Sequence, residues 1–136
     1  MTTAIRLVGA SLVLSVLAAC SSPAAASPVS EPAAREMAEH MLAAYNAGDY
    51  EAWSRDWSQQ MKDAIGAEAF TGFRDQTMQV AGPFEAIESV KSRPGNNPGV
   101  WRWEFTARFE NGTYVFMIAF NEGSPMIEGV NLEPAA

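Results

Sequence analysis

Four side chains in the first half of the chain could do acid–base work: His40, Tyr45, Asp56 and Asp63. A carboxylate or imidazole base beside a tyrosine donor can run proton transfer. Their spacing gives most of them a structural duty first. His40 borders an apolar helical stripe and reads as a boundary residue, while Asp56 and Asp63 flank Arg55 and Lys62 as on a solvated helical face. Asp49, just before "YEAW", reads as a helix cap. No residue is assigned as catalytic. One histidine, one cysteine and scattered carboxylates make no metal-ligand set, so neither metal nor cofactor is expected. The chain has no glycine-rich phosphate loop and no G-x-S-x-G.

The single cysteine, Cys20, ends the stretch "LVLSVLAAC". Met1 to Arg6 carries one basic residue, and Leu7 to Ala19 carries no charge. That run is shorter than the roughly 20 residues a permanent span needs, so it reads as a cleaved export signal. Leu17-Ala18-Ala19-Cys20 resembles the bacterial lipobox. The resemblance implies that a diacylglycerol alkylates the Cys20 thiol, which becomes the new N-terminus and anchors the protein on the extracytoplasmic side of the cell membrane or outer membrane. Ser21 stands where inner-membrane retention usually has an aspartate, and which membrane is involved stays open. Two or three acyl chains, at about 0.8 kcal/mol per buried methylene, hold a protein stably. The reading is therefore a signal peptide over 1–19, a lipidated cysteine and tether over 20–30, and one domain over 31–134. A lone cysteine also excludes an intramolecular disulfide.

Aromatic residues are the second chemical resource. Tyr45, Trp53, Trp57, Trp101, Trp103, Phe105 and Phe120 could line a cavity for a small apolar ligand, because pockets are mainly apolar with a few placed polar groups. The same spacings suit a packed core, and both readings stand.

These residues need elements to position them. Ser30 can cap a helix opening at Glu31-Pro32, with Ala34, Ala38, Met41, Leu42 and Tyr45 on one face and Gly48 as its stop. Tyr50, Trp53, Trp57, Met61 and Ile65 recur at helical spacing, with a break expected near Asp56 to Ser58. After Gly66, the residues Phe70, Phe73, Thr77 and Val80 predict a third amphipathic helix, weakened by Gly72. The period then changes to two. "VWRWEFTARF" puts Trp101, Trp103, Phe105, Ala107 and Phe109 on one face. Asn111-Gly112 reads as a two-residue hairpin turn, pairing Phe109 with Tyr114, Ala107 with Phe116, Phe105 with Ile118 and Trp103 with Phe120. Flanking strands are expected over about 84–91 and 126–132. Helices followed by an antiparallel meander predict an α+β domain with helices on one face of the sheet.

With "MLAAYNAGDYEAWSRDWSQQMKDAI" in front and "PMIEGVNLEP" at the close, this order resembles the small cystatin-like domains of the nuclear transport factor 2-like superfamily, and bacterial lipoproteins that carry one. The resemblance covers about 31–134 and implies a curved sheet wrapped around helices as a cone, often with a cavity. Its members include isomerases, dehydratases and cyclases beside ligand-binding and dimerising modules, so the expected role is a non-catalytic ligand-binding or protein-interaction domain, with a small-molecule enzyme as the alternative. The opposite sheet face, where Val115, Met117 and Ala119 lie across from Arg108, Thr106 and Glu104, suits either a homodimer or envelope-protein interface or plain exposure to solvent, and both readings stand. Without residues 1–19, which hold Arg6 and no acid, eight basic residues face sixteen acidic ones, a formal charge of −8. That balance argues against nucleic acid and against docking on anionic headgroups.

Overall fold

The Ser30 hydroxyl accepts from the Ala33 N–H at 3.4 Å and opens α1, Glu31–Ala47, with Pro32 in its first turn, where a missing N–H costs nothing. These coordinates come from a computed structural model that describes residues 28–136; Cys20, the segment 1–19 and the tether up to residue 27 lie outside the described residues. Val29, just before the cap, is buried with Ala34 in the core, the arrangement that fixes a helix entry angle. Gly48 ends α1 at φ +71°.

Asp49 caps α2, Tyr50–Trp53, by accepting from Ala52 N–H at 3.1 Å. The chain breaks over 54–58, as the spacing predicts, and Ser58 caps α3, Gln59–Ala64. The last helix, α4, is Ala67–Val80. Its stripe differs from the expected one: Phe70 is buried, Phe73 and Thr77 are half-buried, but Val80 is 64% exposed and Ala81 is the buried residue. Three turns of 3.6 residues from Phe70 arrive at 81, one position past Val80.

Four strands follow: β1, Phe84–Pro94; β2, Val100–Phe109; β3, Gly112–Asn121; and β4, Ile127–Pro134. They form one antiparallel sheet in the order β1-β2-β3-β4, so helices precede a curved four-stranded meander in an α+β fold. Register irregularities in β1 between Phe84 and Ser89, and at Ala119/Phe120 against β4, bend the strands. Both outer strands run past the expected limits, β1 to Pro94 and β4 to Pro134.

The hairpin register corrects the sequence expectation by two residues. Glu110 and Asn111 form the turn, so Phe109 pairs with Gly112, Ala107 with Tyr114, Phe105 with Phe116, Trp103 with Ile118 and Trp101 with Phe120. A turn at Asn111-Gly112 would have to be closed by hydrogen bonds between Glu110 and Thr113. Those groups are used by neighbours instead: Glu110 N–H donates to Pro83 O, and Thr113 O accepts from Ala135 N–H, both at 3.0 Å. Among the described residues no non-glycine residue takes a positive φ, which Asn111 would need in such a turn. A shift of two preserves which face each side chain occupies, so the inner face is the expected one. On the outer face, Thr106 meets Val115, Glu104 meets Met117 and Arg102 meets Ala119.

The core lies between the inner sheet face and the helices. Phe105, Ala107, Phe116, Ile118, Phe120 and Ile127 are fully buried against Met41, Leu42, Tyr45 and Trp57. Two side-chain devices hold the layers in place. Asn46 Nδ2 donates to Phe84 O while its Oδ1 accepts from Phe84 N–H, each at 2.8 Å, tying the end of α1 to the start of β1. Arg74 of α4 donates to Tyr45 O at 2.6 Å and Asn46 O at 3.0 Å, satisfying terminal carbonyls of α1.

Candidate functional site

The break after α2 builds the candidate site. It runs beside the start of β4, where Ser58 N–H donates to Ile127 O at 3.0 Å and Ile127 N–H donates to Asp56 O at 2.8 Å. This parallel bridge pins Trp57 against the sheet. Tyr50 Oη donates to Ile65 O at 2.6 Å, holding the α3–α4 connection close to α2. Around that frame the rings stack: Trp53 lies 5.3 Å from Phe70, 5.7 Å from Phe73, 6.3 Å from Trp57 and 6.0 Å from Phe116, centre to centre. Such contacts fix ring orientations beyond simple burial.

Between these rings and the outer strand β4 an open cleft of about 300 Å³ remains. Trp53, Trp57, Ile65, Phe70 and Phe73 line one side; Val130 and Leu132 of β4 line the other, with Asn131 between them in the strand. None of its lining residues is ionisable. A second cleft of about 430 Å³ lies next to it, lined by Gln60, Met61, Asn121 and Glu128 among others.

The aromatic residues picked out by sequence separate into groups. Trp53 and Trp57 line the cleft, each with its ring largely buried. Phe105 and Phe120 are fully buried in the core beneath the helices, and Trp103 is nearly so. Tyr45 is buried, its ring edge-on to Phe109 at 5.8 Å and its hydroxyl donating to Gly82 O at 2.9 Å. Burial pushes its pKa up to about 12, against the pull of the nearby Arg74 cation. Trp101 is half-buried at the far end of the sheet, beside the 95–99 loop. Ile65, Phe70, Phe73, Val130 and Leu132 complete the lining. Their helical and alternating spacings were visible, but spacing alone gives a face and says nothing of whether that face meets a neighbour.

The acid–base candidates do not converge on the cleft. His40 Nδ1 and Arg55 Nη1 are 3.4 Å apart, and Arg55 pairs with Asp56 at 3.1 Å, forming a short surface chain. Asp63 is exposed and accepts from Gln59 at 2.9 Å. Among the described residues, no group of three or more His, Cys, Asp or Glu is placed to hold a metal ion.

Fold and cleft together define a small α+β domain with an apolar cleft at one sheet edge. The chain belongs to the family described as "Protein of unknown function (DUF3887)", whose profile matches residues 38–128. A solved structure similar to it is the NMR structure of a protein from Ruminococcus gnavus, with a TM-score of 0.61 at 11% identity, covering 78% of this chain and 93% of that one. At that identity the likeness concerns the fold. No curated protein matches the chain.

Proposed function

We propose that the protein is a lipid-anchored module of the cell envelope that holds a small apolar ligand in the cleft between α4 and β4. The observation that carries this reading is the lining itself: four aromatic rings, Ile65, Val130 and Leu132 around about 300 Å³, within the usual range for a ligand site. The lining offers no acid or base to a bound molecule, which supports binding over catalysis. The lipobox resemblance at Cys20 supports the envelope setting. Among the described residues no helix is long and apolar enough to cross a membrane. The order of helices and curved sheet agrees with the nuclear transport factor 2-like resemblance, in which binding modules are common.

The test uses the full chain carrying Cys20→Ser in detergent-free buffer, titrated with the neutral dye Nile red. A saturable rise in dye emission is expected, lost in a Leu132→Glu variant, which places a carboxylate in the half-buried lining without opening the core. Equal dye binding by both proteins, or none by either, would sink the reading.

The outer sheet face supports a second, compatible role as a docking face for another copy or an envelope protein. Val115, Met117 and Ala119 form a half-buried strip along β3 that no described helix covers.

A further inference from the structure

The apolar cleft and its neighbour are lined in common by Ile65 and Val130, so they adjoin across those two residues beside β4. The second brings polar residues that the first lacks. The first is walled by Trp53, Trp57, Phe70, Phe73 and Leu132, whereas the second adds Gln60, Asn121 and Glu128 to apolar residues such as Met61 and Ala64. The sheet irregularity opposite Ala119/Phe120 falls at Glu128, which sits between Ile127 and Gly129 in the paired strand. The Glu128 side chain is held from one side: Ser58 Oγ, the same atom that caps α3, donates to Glu128 Oε2 at 2.7 Å. Glu128 makes no ion pair with a described cation, and it is the one charged side chain lining either cleft.

From this adjacency and charge we infer that the ligand is a single-chain amphiphile, its apolar tail in the Trp53–Leu132 cleft and a cationic, hydrogen-bond-donating head reaching over Ile65 and Val130 to Glu128. The inference rests on the apolar-binding reading above and names the class of molecule. An anionic head would meet the Glu128 carboxylate in a partly desolvated setting, where like charges repel more strongly than in bulk water. The acidic balance of the whole chain adds to that bias. Gln60 and Asn121 offer both donors and acceptors to whatever polar atoms the head presents.

Eight-carbon probes separate head from tail: octylammonium, octyl glucoside and octanoate, each kept below its micelle concentration. The quenching of tryptophan emission in the Cys20→Ser chain reads their binding, since Trp53 and Trp57 line the tail cleft. Octylammonium is expected to bind about tenfold more tightly than octanoate, with the neutral glucoside between them. In Glu128→Gln, which keeps the shape and a partner for Ser58, that preference should fall to about twofold or less while the glucoside is unaffected. Glu133→Gln, on the same strand but outside both clefts, should keep it. Equal binding of octylammonium and octanoate by the Glu128 protein overturns the assigned head and leaves the apolar cleft standing. Failure of all three to bind overturns both readings.

Discussion

Tyr45 shows how one residue links packing to titration. Its hydroxyl is the donor that satisfies Gly82 O, inside a core that raises its pKa to about 12. An unfolded tyrosine titrates near 10. The fold therefore favours the neutral phenol, and this contribution is complete below about pH 10 and lost as pH climbs to about 12. Tyr45→Phe is expected to be less stable at neutral pH by about 1 kcal/mol, because Gly82 O loses its partner. The stability gap between the two proteins should then narrow from about pH 10 upward, as read by urea unfolding at successive pH values. A gap that stays constant through that range would contradict the account. Tyr45 was legible as a core-facing helical residue, but its partner lies 37 positions away, and no local pattern identifies it.

Caps decide the elements, and caps are short-range. Ser30, Asp49 and Ser58 each accept from an N–H three residues on; the first two were read directly as helix starts, and the third only as a break near Asp56 to Ser58. Gly72 is the weak point of α4. A Cβ there would meet nothing within 4 Å, and its backbone φ is not one that strains other residues. Gly72→Ala should therefore stabilise the domain by about 0.5–1 kcal/mol through helix propensity and reduced unfolded-state entropy. Thermal unfolding checks this, and a lower melting temperature would show that α4 needs glycine for a reason other than space. The hairpin was harder to read, because its turn depends on Pro83 and Ala135, residues of other segments that take up the hydrogen-bonding groups of Glu110 and Thr113. Alternation fixed the faces of β2 and β3 but left their pairing free to move by two.

At the scale of the whole molecule, charge is distributed by sheet face. The outer face gathers Lys91, Arg93 and Arg102 around Glu104, and Arg108 beside Glu85 and Glu88. These charges also protect the outer strand β1 from pairing with other chains. The Arg93–Glu104 pair is 3.1 Å and the Arg108–Glu85 pair 2.8 Å; both partners of the second are exposed, which keeps it worth little to stability. Anchoring belongs to this scale too. Cys20→Ser is expected to abolish incorporation of labelled palmitate and to move the chain from the membrane fraction to the soluble one. Unchanged labelling would remove the lipid from the proposal. The cleft is likewise a property of the assembled molecule, since its walls come from α2, the α3–α4 connection, α4 and β4.

By itself the sequence determined the starts of α1, α2 and α4, the inner faces of β2 and β3, the break between α2 and α3, and the α+β order, all of which follow from interactions within a few residues or from a period of two or 3.6. The tertiary structure alone decided the hairpin register, the exchange of Val80 for Ala81 on the buried stripe, and which aromatic residues meet open space. Trp53 and Trp57 look no different from Phe105 and Phe120 along the chain. The first two line a cleft and the others fill a core because α4 and β4 leave space between them, and that spacing depends on packing between segments some 50 residues apart.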